Sequence, residues 1–124
     1  MSATTLVLIV EDNPRNLKLV RDVLGHAGYA TLEACDGEAG IALARERRPD
    51  LILMDINLPG IDGVEALARL RADAVTAAIP VVALTAYAMK DDRERFLAAG
   101  FDAYLEKPVS VRELPDTVGA LIRG

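Results

Sequence analysis

The feature that most constrains this chain is an alternation. Apolar runs of three to five residues, rich in branched side chains, are separated by longer segments whose apolar positions recur at helical spacing. The runs are Leu6–Val10, Ala30–Ala34, Leu51–Met54, Val81–Leu84 and Ala103–Leu105. Strands that alternate with helices pair in parallel, because each crossover helix packs back onto the sheet. Five such strand–helix units fit into 124 residues, which predicts an α/β protein with one domain over 1–124 and a single sheet.

Local signals place the helices. Asn13 is an N-cap with Pro14 at the first helical position, where a missing N–H costs nothing, and Leu17, Val20, Leu24 and Ala27 follow as the inward stripe up to Gly28. Asp36 opens a second helix with Ala39, Ala42 and Leu43 inward, and Asp62 opens a third with Val64, Leu67 and Leu70. Phe96 and Leu97 mark a fourth, closed by Gly100. Ser110 and Glu113 form a capping box for a fifth, with Leu114, Val118, Leu121 and Ile122 as its stripe. Pro115 would fall beyond the first turn of that helix, so a late start or a kink is expected. The chain closes at Gly124 directly after it, and no output domain is expected.

The first, third and fourth runs are continuously apolar, as strands buried on both faces must be, while the second and fifth carry Glu33, Tyr104 and Glu106 in mixed patterns suited to sheet edges. With right-handed crossovers the simplest strand order is 2-1-3-4-5. A crevice then opens above the carboxyl ends of strands one and three, where the winding reverses.

Composition removes other classes. Lys and Arg number 14 against 19 Asp and Glu, with no basic stretch to displace counterions from phosphates, so nucleic acid is not an expected partner. No apolar run approaches the ~20 residues of a membrane span, and no charged leader precedes the first strand, so no membrane is expected. A single cysteine, Cys35, excludes an intrachain disulfide and suits the cytoplasm, and it reads as a small buried hydrophobe. His26 reads as a helix-terminal surface residue, and the charged run Lys90–Arg95 as a solvated helix face.

At the carboxyl ends of the strands stand Glu11 and Asp12, Asp55, Thr85, and Lys107. Taken singly each has a plainer reading: an acidic helix start, a strand-ending cap, an ordinary hydroxyl, a Lys-Pro turn. Brought together by the fold they are a site. Three carboxylates about 5 Å apart repel by roughly 3 kcal/mol per pair at an effective dielectric near 20, so a cation is called for. An all-oxygen ligand set with open positions suits magnesium. A carboxylate nucleophile beside magnesium, with a hydroxyl and a lysine, is equipment for moving a phosphoryl group onto aspartate.

The segments Val10-Glu11-Asp12-Asn13, Leu53-Met54-Asp55-Ile56-Asn57-Leu58-Pro59-Gly60-Ile61-Asp62-Gly63, Leu84-Thr85-Ala86 and Glu106-Lys107-Pro108 together resemble the bacterial response-regulator receiver domain, over the whole chain. That resemblance implies a flavodoxin-like (βα)5 doubly wound sheet of order 2-1-3-4-5. It implies that Asp55 accepts a phosphoryl group from a histidine phosphate of a histidine kinase or histidine phosphotransfer protein. It makes Asp12 a direct magnesium ligand, Glu11 its water-mediated companion, and the backbone carbonyl of Asn57 a further ligand. Thr85 and Lys107 would grip the phosphoryl oxygens, Tyr104 would be a switch aromatic coupled to Thr85, and the Lys107–Pro108 peptide would be cis. Glu11 stands where aspartate is more frequent, and Ala86 and Tyr87 would influence access to Asp55. A downstream protein would read the surface of helix four, strand five and helix five. Within the family, the short chain and the run Thr85–Lys90 resemble stand-alone cell-cycle regulators.

Three other functions fit these residues less well. An aspartyl-phosphate phosphatase would need a second aspartate two positions beyond its first-strand nucleophile, where Pro14 stands. A flavodoxin-type binder would meet repulsion from Glu11-Asp12-Asn13-Pro14, and a receiver-like module that is never phosphorylated would leave the acceptor set without use.

Overall fold

The computed structural model describes residues 4–86 and 90–123, apart from the side chains of Lys90 and Arg123; Tyr87 lies outside the described residues. The elements run β1 (Leu6–Val10), α1 (Pro14–His26), β2 (Ala30–Ala34), α2 (Gly37–Arg47), β3 (Leu51–Asp55), α3 (Gly63–Ala72), β4 (Val81–Thr85), α4 (Lys90–Ala99), β5 (Ala103–Glu106) and α5 (Glu113–Arg123). The five strands form one parallel sheet of order β2-β1-β3-β4-β5, as the apolar runs predict. The last three strands each extend one residue past the predicted run, so Asp55, Thr85 and Glu106 still belong to the sheet. None of the described helices is long and apolar enough to cross a membrane.

Side chains alternate across the sheet and build two separate core layers. Val7, Ile9, Leu51, Leu53, Val82, Leu84 and Leu105 pack with Val20 and Leu24 of α1 and Leu114 and Val118 of α5. Leu8, Val10, Ile52, Met54, Val81 and Ala83 pack with Ala44 of α2, Ala66, Leu67 and Leu70 of α3, and Phe96 of α4. This two-sided alternation carries into the site, because each strand's parity decides which layer its last residue adjoins.

The caps behave as their residue types predict. Asn13 Oδ1 accepts from the N–H groups of Arg15 and Asn16, Asp36 Oδ1 from Ala39, and Asp62 Oδ1 from Glu65. Ser110 Oγ accepts from Arg112 and Glu113, and α5 begins only at Glu113, which leaves Pro115 in its first turn. The late start is the outcome the proline required.

Four expectations are corrected. The inward face of α2 is Gly37, Gly40 and Ala44, while Ala39 and Ala42 are exposed. The reason is a close approach: a Cβ on Gly40 would lie 2.7 Å from Val10 Cγ2, so the helix meets β1 through glycine. Leu97 is 47% exposed beside the buried Phe96, because adjacent residues of a helix cannot share one face. Ala27 is the exposed C-cap of α1 rather than part of its stripe. Cys35 is exposed, since it follows the last residue of the edge strand β2 and has no second layer above it.

Arg71, on α3, fastens the far end of the sheet. Its guanidinium donates to the carbonyls of Ala77, Ile79 and Gly100 and to Asp102 Oδ2, which also accepts from the N–H of Val81. The chain entering β4 and the chain entering β5 are thereby held to α3, opposite the site.

Candidate functional site

β1, β3 and β5 deliver three residues of the same parity to the carboxyl edge. Glu11 follows Ile9, Asp55 follows Leu53 and Lys107 follows Leu105, each two positions along its strand direction. Glu11 is held there by its own N–H, which extends the β1–β2 pairing by donating to Ala34 O at 3.0 Å. Lys107 is held by its N–H on Thr85 O at 2.8 Å, and the Lys107–Pro108 peptide is cis.

The side chains then meet. Lys107 Nζ lies 2.8 Å from Glu11 Oε1 and 2.8 Å from Asp55 Oδ2, bridging the two carboxylates. Asp55 Oδ1 accepts from the N–H of Asn57 at 3.1 Å, and Glu11 Oε2 from the N–H of Asn13 at 3.3 Å. Ligand oxygens of Glu11, Asp12 and Asp55 lie within 4.8 Å of one another; Glu11 and Asp55 are buried and Asp12 is exposed. Among the described residues, Glu11 Oε1 is the buried side-chain oxygen with no donor aligned to it as a hydrogen bond, although the ammonium is in charge contact.

The second layer receives the other two candidates. Register pairs Ala83 with Tyr104 and Thr85 with Glu106, so Thr85, buried at the end of β4, shares a face of the sheet with Tyr104. Tyr104 is half-buried against the layer of Phe96 and Phe101 rather than against α5. Asn57 is exposed in the loop after β3, Ala86 is exposed, and His26 is exposed at the end of α1.

Gly63, the first residue of α3, was not singled out by the sequence. A Cβ there would fall onto the carbonyl oxygen of Asp55 and within 2.9 Å of Ile56 Cα, and the Gly63 N–H donates to Ile56 O at 2.9 Å. The helix start is thus pressed against the backbone of the central aspartate. The signal was an Asp-Gly pair opening a helix shortly after a strand, with nothing local to show how near the strand would be.

Charge accounts for the site's proton affinity. Burial pushes the Glu11 carboxyl up from 4.5 to about 7; the adjacent Asp55 adds to the rise and the Lys107 ammonium opposes it. Burial works to lower the Lys107 ammonium, but Asp55 and Glu11 more than offset it and hold it above its ordinary range. Between pH 4.5 and about 7 the folded chain keeps a proton on Glu11 that the unfolded chain has released, so stability falls as pH rises through that window. Urea midpoints without divalent ions are expected to decline from about pH 5 to about pH 8, and Glu11→Gln should flatten that decline. An equally steep decline in the variant would assign it to another group.

Residues 7–119 match the response regulator receiver domain family. The chain belongs to that family. This receiver domain is 48% identical over 112 residues to the polar-differentiation response regulator DivK of Brucella anthropi, covering 90% of this chain and 91% of that one. It is 47% identical over 115 residues to DivK of Brucella ovis, covering 93% and 94%. Among solved structures it superposes, at a TM-score of 0.91 and 38% identity, on the receiver domain of a sensor histidine kinase from Pseudomonas aeruginosa, which has a magnesium ion coordinated in its active site cleft. That match covers 98% of this chain and 100% of the other. The chemotaxis response regulator CheY4 of Vibrio cholerae matches at a TM-score of 0.90 and 28% identity, covering 96% and 99%. The receiver domain is therefore a signalling module with the sheet order and acidic edge its sequence predicts.

Proposed function

We propose that this receiver domain is the phosphoacceptor of a two-component or phosphorelay system, taking a phosphoryl group from a phosphohistidine onto Asp55. The observation that supports it most is the setting of Asp55: a carboxylate 3% exposed, gripped at Oδ2 by Lys107 and at Oδ1 by the Asn57 N–H, with Glu11 and Asp12 alongside. Such burial around a nucleophile has no evident folding benefit.

The oxygens present fit magnesium: three carboxylates converge, and a buried Glu11 oxygen lacks an aligned donor. Glu11, Asp12 and Asp55, with the backbone carbonyl of Asn57, would hold the ion. When bound, magnesium neutralises the carboxylates and the charge on the transferring oxygens.

The chain's own residues supply the rest. An Asp55 oxygen attacks phosphorus as the P–N bond to the donor imidazole breaks; the electron pair leaves with the imidazole, which takes up a proton. Lys107, already at Asp55, then turns its charge to the phosphoryl oxygens, and the Thr85 hydroxyl serves as second donor to them. Tyr104, on the same face as Thr85, carries the change to the surface of α4, β5 and α5 for a downstream protein to read. The donors are a histidine kinase or a histidine phosphotransfer protein. The exchange belongs in the cytoplasm, where a lone thiol such as Cys35 stays reduced.

Incubation with acetyl phosphate and magnesium, followed by intact mass, is expected to add one phosphoryl group to the wild type and none to Asp55→Asn, with omission of magnesium suppressing the gain. Equal labelling of the variant, or none of the wild type, would leave the reading of a module that is never phosphorylated at Asp55.

A further inference from the structure

In the charged run of α4, Arg93 reaches beyond its own helix to a ring on β5. Arg93 lies one helical turn before the buried Phe96, and its guanidinium carbon stands 5.3 Å from the centroid of the Tyr104 ring, within cation–π range. No carboxylate of the described residues pairs with Arg93, although Asp91, Asp92 and Glu94 surround it; Asp92 pairs with Arg95 instead. Below, the Tyr104 ring packs against the layer in which Phe96 and Phe101 meet edge to face at 6.2 Å. The ring is therefore held between the core and a guanidinium, at the seam where α4 meets β5.

We propose that Arg93 is a latch on Tyr104, holding the ring in the position it takes while the Asp55 carboxylate is still engaged by Lys107, so that Arg93 sets how readily the domain passes into its phosphorylated arrangement. This rests on the reading of Asp55 as acceptor and of Tyr104 as the residue that turns when Thr85 moves. Arg93 touches neither the acceptor nor its ligands; it is a positioning residue, and its effect reaches the site only through the ring. A ring that reorients must leave the guanidinium. Losing a half-exposed cation–π contact shifts such an equilibrium about two- to fivefold.

The test uses beryllofluoride with magnesium as the phosphoryl mimic, titrated into the wild type, Arg93→Gln and Arg93→Lys, with the Tyr104 ring protons followed by NMR and assigned against Tyr104→Phe. Arg93→Gln keeps a polar stem without the cation and sits at an exposed helix position, so its fold is expected to be intact. The expected result is a titration midpoint about two- to fivefold lower in Arg93→Gln, ring shifts displaced toward the saturated wild-type positions before any mimic is added, and recovery of both in Arg93→Lys. Unchanged midpoint and ring shifts in Arg93→Gln, with a wild type that responds normally, overturn the latch alone. A wild type that does not respond at all overturns the acceptor reading and the latch with it.

Discussion

Replacing Lys107 with methionine is expected to lower stability by about 3 kcal/mol near pH 8 without divalent ions, and to slow phosphate uptake on the order of a hundredfold. Lys107 is the ammonium that touches both buried carboxylates, 2.8 Å from each. Its removal leaves Glu11 and Asp55 facing each other without compensation. The loss stands at the low end for a broken buried pair because the Lys107 side chain keeps 17% exposure. Lower pH should restore much of the stability, since Glu11 already holds a proton up to about 7 and would hold it further without Lys107. Magnesium should restore part of it as well, by binding the folded state alone. Urea unfolding at two pH values, with and without magnesium, reads all three effects; a variant as stable as wild type at pH 8 would mean that solvent already screens the pair.

The second large effect is expected from Gly63→Ala. The added methyl meets the Asp55 carbonyl and Ile56 Cα, both backbone, so the start of α3 must lift or the end of β3 must yield. Overpacking of this kind costs about 3 kcal/mol. Because the atoms displaced carry Asp55, the proposed acceptor, phosphate uptake should fall tenfold or more, on the order of the penalty for a misplaced reacting group. Gly25→Ala is the matched control: near the end of α1 its Cβ meets nothing within 4 Å, and a gain of about 0.5 kcal/mol is expected. Urea midpoints of the two variants should therefore move in opposite directions. A Gly63→Ala protein as stable as wild type would show that the loop after Asp55 adapts at little cost.

Much of this was legible because it is written locally. The capping oxygens of Asn13, Asp36 and Asp62 act within three residues of their own position, and the continuous apolar runs of β1, β3 and β4 follow from burial on both faces. What was misread depends on contacts between distant segments. Period alone assigned Ala39 and Ala42 to the inside of α2, since small residues mark either face; only the approach to Val10 shows that glycine is the inner surface. Arg93 passed for a solvated charge because its partner lies on β5. The convergence of Glu11, Asp12 and Asp55 was foreseeable from strand order, but the Lys107 bridge to Glu11 was not, since it joins the ends of β1 and β5, which are not neighbours in the sheet.

β5 puts Leu105, and Lys107 after it, on one side of the sheet and Tyr104 on the other, and the two core layers share no residue. The Lys107 and Tyr104 side chains therefore serve opposite layers and are joined through the backbone of β5, while Thr85 stands on the Tyr104 side. β5, at four residues the shortest of the five strands, thus links the layer of Lys107 to the layer of Tyr104.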